Sequence, residues 1–133
     1  MANFLSRYEV YFYAILRVIG GALFACHGAQ KLFGILGGQS EINDPEGLAA
    51  GIIEFSCGLL VCLGLFTRVA AFVASGEMAV AYFKAHAGRS FWPILNHGEL
   101  AVLYAFLFLY IFVRGHGTAS LDALWQKRPA KTQ

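Results

Sequence analysis

Charge is scarce in this sequence. Asp, Glu, Lys and Arg make up 14% of its 133 residues, against about a quarter in soluble domains. That shortfall argues against an ordinary water-soluble fold. Ten-residue stretches of alternating polarity are missing, which argues against a membrane β-barrel. The three cysteines form no C-x-x-C pair and suggest no metal knuckle. No Glu-x-x-His occurs, so a di-metal carboxylate centre lacks its ligand pattern. Nucleotide-binding loops, nucleophile triads and nucleic-acid signatures are absent too, as are internal repeats and low-complexity tracts.

Apolar residues are abundant, at 58%. They gather in four segments, near residues 11–33, 48–66, 69–86 and 97–113. Stretches of about twenty such residues span a bilayer, and in lipid the backbone must satisfy its own polar groups, which favours helices. The expected fold is therefore all-α: an integral membrane protein forming a four-transmembrane-helix antiparallel bundle, one domain over 1–133 with a basic tail at 127–133. A cleaved signal peptide is the alternative for the first segment. Arg17 in its middle and the bulky Phe24 argue for a retained helix.

The charges that remain are unevenly placed. Arg7, Arg68, Arg114, Lys127, Arg128 and Lys131 fall on one side of such a bundle. Lys31, Lys84 and Arg89 fall on the other, beside Glu41, Asp44 and Glu46. The cationic excess predicts both termini in the cytoplasm. Asp44-Pro45-Glu46 reads as a helix start. Asn96-His97-Gly98-Glu99 has capping-box spacing, and a short helix is expected near Ser120–Gln126.

Ionisable residues at membrane depth are costly, roughly 2.5–3.5 kcal/mol each on insertion scales, and so mark candidate sites. Arg17 and Glu77 fall at similar depths, roughly 9 and 14 Å from the cytoplasmic side at about 1.5 Å per residue. They are expected to form a structural ion pair. His27, Gln30, Lys31, Glu54, His86, Asn96, His97 and Glu99 gather toward the outer third. Glu54 sits in a stripe with Gly47, Gly51 and Gly58, which lets helices touch. From these we take His27, Gln30, Lys31, Glu54 and Glu99 as the candidate cofactor-binding set, with His27 and Glu54 as acid/base groups. A quinone or small polar ligand needs a donor and an acid/base group at a lipid-accessible pocket, and this set supplies both. Haem would need a facing pair, for which only His27 with His86 is available; haem and metals are disfavoured. Lys31 snorkelling, Glu99 capping and Cys26, Cys57 and Cys62 as plain core residues are the structural alternatives. A Cys26–Cys57 redox pair stays open.

Arg17-Val-Ile-Gly, His27-Gly-Ala-Gln30-Lys31-Leu-Phe-Gly, Glu54-Phe-Ser-Cys-Gly-Leu-Leu, Gly64-Leu-Phe-Thr-Arg68, Asn96-His-Gly-Glu99 and Gly115-x-Gly117-x-x-Ser-Leu-Asp122 together resemble the DoxX family. The resemblance implies a bacterial or archaeal four-helix protein of the cytoplasmic (inner) membrane. One branch of that family resembles the membrane subunit of thiosulfate:quinone oxidoreductase, and another associates with thiol-redox and superoxide-detoxifying partners. It therefore implies a redox-linked, quinone-associated subunit working with lipid and with other subunits or further copies of itself. Two other readings stay open: a non-catalytic assembly subunit, and a small-solute or proton pathway along Arg17, Glu77 and Glu54. Whether the chain is an oxidoreductase by itself is also open.

Overall fold

The computed structural model describes residues 5–127, and these contain helices and no strand. The basic tail beyond Lys127, with Arg128 and Lys131, lies outside the described residues. Helix α1 runs Glu9–Phe33 and ends where Gly34 turns left-handed (φ 64°) and donates its N–H to the Gln30 carbonyl. Helix α2, Pro45–Leu63, starts as its sequence dictates. The Asp44 carboxylate accepts the Gly47 N–H at 2.7 Å, and Pro45 occupies the first helical position, where no N–H is needed. Counting apolar residues put the start at 48 and the end at 66; the cap moves the first, and Gly64 (φ 72°) moves the second.

Helix α3, Thr67–Ala81, continues into a π-helical turn at Tyr82–His86. The Ala87 N–H donates to the Tyr82 carbonyl at 3.0 Å, five residues back, and such turns occur often at functional sites. Two short turns away lie α4 (Pro93–Asn96) and α5 (Glu99–Arg114). The expected start of the last long helix at 97 is corrected to 99, because His97 adopts a left-handed φ of 59°. The Asn96–Glu99 capping box is not formed either. The Asn96 side chain instead accepts the Gly98 N–H at 2.7 Å, a tighter local turn that ends α4. Helix α6, Leu121–Gln126, is capped by Ser120, whose Oγ accepts the Ala123 N–H.

Helix α1 packs chiefly on α2, and α3 on α5, with α2 against α3 joining the pairs. The α1–α2 contact is backbone on backbone: a Cβ at Gly58 would stand 2.7 Å from the Gly21 carbonyl oxygen, and one at Gly28 would stand 2.7 Å from that of Gly51. Only glycine permits that approach. Between the pairs lie Phe24, Val61, Ala71, Ala74, Phe108 and Ile111, each at 1% exposure or less. The opposite surfaces are as apolar as the core, with Leu103, Phe106, Val69 and Val113 each about two-thirds exposed. By length and composition α1 and α2 are long and apolar enough to cross a membrane.

Candidate functional site

The close α1–α2 contact sets the site. With Gly28 against Gly51, Lys31 in the last turn of α1 is one turn beyond the contact and level with Glu54 in the middle of α2. Lys31 Nζ donates to Glu54 Oε1 at 2.7 Å. Glu54 is 2% exposed, and its other oxygen, Oε2, is buried without a hydrogen-bond partner. A second orphan stands nearby: Glu77 Oε2 on α3 is also buried and unpartnered. The charges facing Glu77 are those of Glu54 and Lys31. Lys31 is in ion-pair contact with Glu54, and Glu77 with no cation among the described residues, in a place where desolvation makes any excess charge costly. One added proton or one hydrogen-bond donor would balance the cluster.

A cleft of about 490 Å³ between α2 and α3 reaches this cluster. Lys31 and Glu77 line it, Gly76 and Ala81 leave it wide, and Glu41, Asp44 and Glu46 stand along it with Lys84. Lys84 Nζ donates to Glu46 Oε1 at 2.7 Å.

The remaining expected site residues are more dispersed. His27 stands edge-on to the Tyr104 ring at 6.1 Å between centroids, and Tyr104 in turn faces the Glu54 charge. Gln30 turns away, its Nε2 donating to the Leu36 carbonyl and so fixing the loop after α1. Glu99 is exposed in the first turn of α5. His86 stacks on Tyr82, with Nδ1 3.1 Å from the Asn96 carbonyl. Cys26 is exposed, Cys57 buried and Cys62 half-buried, all as free thiols.

The expected Arg17–Glu77 pair is corrected. Arg17, 1% exposed, donates instead to three backbone carbonyls: Val61 (2.5 Å) and Cys62 (2.8 Å) at the end of α2, and Ala119 (2.6 Å). Carbonyls in the last turn of a helix have spare acceptor capacity and carry its negative dipole end, so those of Val61 and Cys62 can receive a guanidinium without any carboxylate. Depth alone put Glu77 within reach of Arg17; the packing turns Arg17 to backbone carbonyls and leaves Glu77 without an ion pair among the described residues.

Two hubs lie outside the expected cofactor-binding set. Asn96, fully buried, donates through Nδ2 to Tyr82 Oη (3.1 Å) and the Ser90 carbonyl (2.7 Å), while Tyr82 donates to the Phe91 carbonyl. Asp122 accepts the Phe66 N–H, the Thr67 N–H (both 3.0 Å) and the Thr67 hydroxyl (3.1 Å). Burial by itself would raise the Asp122 carboxyl, but those three donors outweigh it and hold it below the usual aspartate range.

The DoxX family profile matches residues 12–87, the span that holds Arg17, Lys31, Glu54 and Glu77. A protein of Haemophilus influenzae, described only as uncharacterised, is 44% identical over 133 residues, covering 95% of this chain and 99% of the relative. No solved structure matches. Helices of membrane length around a buried charge cluster define the class. The chain belongs to the DoxX family.

Proposed function

We propose that this chain is a multi-pass subunit of a redox system in the bacterial inner membrane, and that Lys31, Glu54 and Glu77 handle protons for a quinone-type ligand. In this reading α1, α2, α3 with its π-helical turn, and α5 cross the bilayer as a single-domain antiparallel bundle, with both termini cytoplasmic. The carrying observation is the pair of buried, unpartnered oxygens, Glu54 Oε2 and Glu77 Oε2. An unmet buried acceptor costs about 1–3 kcal/mol and more when charged, so two of them at one cleft favour a proton- or donor-accepting role.

A quinone suits this donor set. The Lys31 ammonium, at the cleft wall, can donate to a ring carbonyl oxygen while remaining near Glu54. Glu77 can give or take a proton at the cleft, with Glu54 behind the lysine as the second carboxyl of a shared-proton pair. The quinone, when bound, would carry the electrons; partner subunits would supply or collect them. His27 reaches this set only through Tyr104, and Gln30 and Glu99 act in the loop and at the α5 start.

The test is purification in mild detergent followed by extraction and mass analysis of retained quinone, alongside quinone-dependent electron transfer in membranes. Wild type should retain quinone, with Glu77→Gln and Lys31→Met lowering retention about tenfold, the value of a charge-assisted hydrogen bond. No retained quinone in wild type, together with unchanged electron transfer in Glu54→Gln membranes, would overturn the proposal.

A further inference from the structure

A second polar cleft, of about 640 Å³, lies at the other end of the helices. It is formed where the first turn of α3 meets the last turn of α5, and Arg68, Val69, Arg114, His116, Asp122 and Gln126 are among its lining residues. Its charges are not equally committed. Arg114 pairs with Glu9 and lies over the Tyr13 ring, 5.0 Å from its centroid. Asp122 is taken up by the Phe66 and Thr67 N–H groups. His116 Nδ1 faces the Gly117 carbonyl and Ser120 Oγ. Of the two arginines lining the cleft, Arg68 is the one with no carboxylate in ion-pair contact among the described residues. Its Nη1 donates to the Phe112 (2.7 Å) and Val113 (3.0 Å) carbonyls. Those two bonds fix the guanidinium in the cleft while using one of its three nitrogens. A fixed, planar guanidinium with donors to spare is suited to phosphate.

The surroundings narrow the ligand. Directly beside Arg68 the surface turns to hydrocarbon: Val69 and Val113 are each 67% exposed and Phe72 is 60% exposed. An anion alone would leave those side chains bare, whereas a molecule carrying both phosphate and alkyl chains would cover them. Basic clefts between helices on the cytoplasmic side of a membrane bind anionic headgroups in this manner.

We infer that this cleft holds the headgroup phosphate of an anionic glycerophospholipid, donated to by Arg68 and flanked by Arg114 and His116, with acyl chains along Val69, Phe72 and Val113. The inference rests on the membrane-spanning reading but not on quinone, which would occupy the cleft at the other end.

Native mass spectrometry of the detergent-purified chain tests it, with phosphatidylglycerol and phosphatidylcholine of identical acyl chains as probes. Phosphatidylglycerol should be retained in preference. Arg68→Gln should weaken that retention about fivefold, the value of one basic residue near an anionic lipid, and weaken phosphatidylcholine, whose phosphate is balanced by its own ammonium, by less. Because Arg68→Gln also removes two carbonyl contacts, Gln126→Glu serves as the second variant. It puts a negative charge in the cleft, leaves those contacts intact and should weaken phosphatidylglycerol alone. Equal retention of the two lipids would overturn the inference, as would wild-type retention by both variants. Displacement of phosphatidylglycerol by millimolar inorganic phosphate would overturn it in favour of a free-anion site. A chain recovered from the soluble fraction without detergent would instead sink the membrane reading beneath it.

Discussion

Lys31 on α1 and Glu54 on α2 meet through one carboxylate oxygen, at 2.7 Å, and leave the other buried and bare. Half of the pair is an interaction and half is an unmet demand. Removing the lysine alone should therefore cost more than removing both charges. Lys31→Met should destabilise by about 3 kcal/mol, since it strands a buried carboxylate, and adding Glu54→Gln should recover most of the loss. Thermal unfolding of the two variants in detergent, at neutral pH, checks this; equal stability of single and double variants would contradict it.

Glycine roles along the helices should divide sharply. A methyl group at Gly28 would collide with the Phe55 backbone, whereas one at Gly76 meets nothing within 4 Å. Gly28→Ala should unseat α1 from α2 and prevent a stable fold. Gly76→Ala, in the interior of α3, should be neutral or stabilising by about 0.5–1 kcal/mol, through reduced chain entropy. Expression level and melting temperature of the two variants provide the comparison.

Arg17 should not tolerate lysine. Its guanidinium serves Val61, Cys62 and Ala119 from two different nitrogens, and a single ammonium cannot reproduce that fork. Arg17→Lys is expected to lose about 2–3 kcal/mol, the scale of an unmet buried polar group. Proteolytic release of the segment around Ala119 should precede global unfolding in that variant, as followed by fragment mass.

The Asp122 clamp sets a pH dependence of known sign. Its carboxyl is held below the ordinary value in the folded chain, so it stabilises fully above the unfolded pKa of about 3.9 and loses that contribution as pH falls through the folded value. Asp122→Asn should therefore melt lower than wild type at pH 7, with the two melting temperatures drawing together as pH drops below about 4. Parallel curves down to acid would exclude the clamp.

Legibility in the sequence followed the kind of contact involved. Helix starts governed by local chemistry were readable: Asp44 with Pro45 announced α2. Glu54 was readable because its glycines share its face, which marks a helix contact around a charge. Arg17 was misassigned because its partners are backbone carbonyls, which every residue possesses and no residue type signals. Glu77 followed the same error, since depth along a helix says nothing about which neighbour lies on the facing side. Asn96 was read as a cap for α5, and only the left-handed His97 shows why its side chain turns to Gly98 and Tyr82 instead.

The bond from Arg17 to Ala119 spans 102 residues, which gives it a meaning in time as well as in space. During synthesis Arg17 enters the nascent bundle long before Ala119 leaves the ribosome. Until then part of its guanidinium is unanswered in an apolar setting. The same delay applies to Thr67, which waits 55 residues for Asp122. A chain cut before Ala119 would leave that Arg17 donor without its partner, and one cut before Asp122 would leave the Thr67 N–H and hydroxyl unmet. The stretch from Ala119 to Asp122 thus closes contacts whose donors were made much earlier.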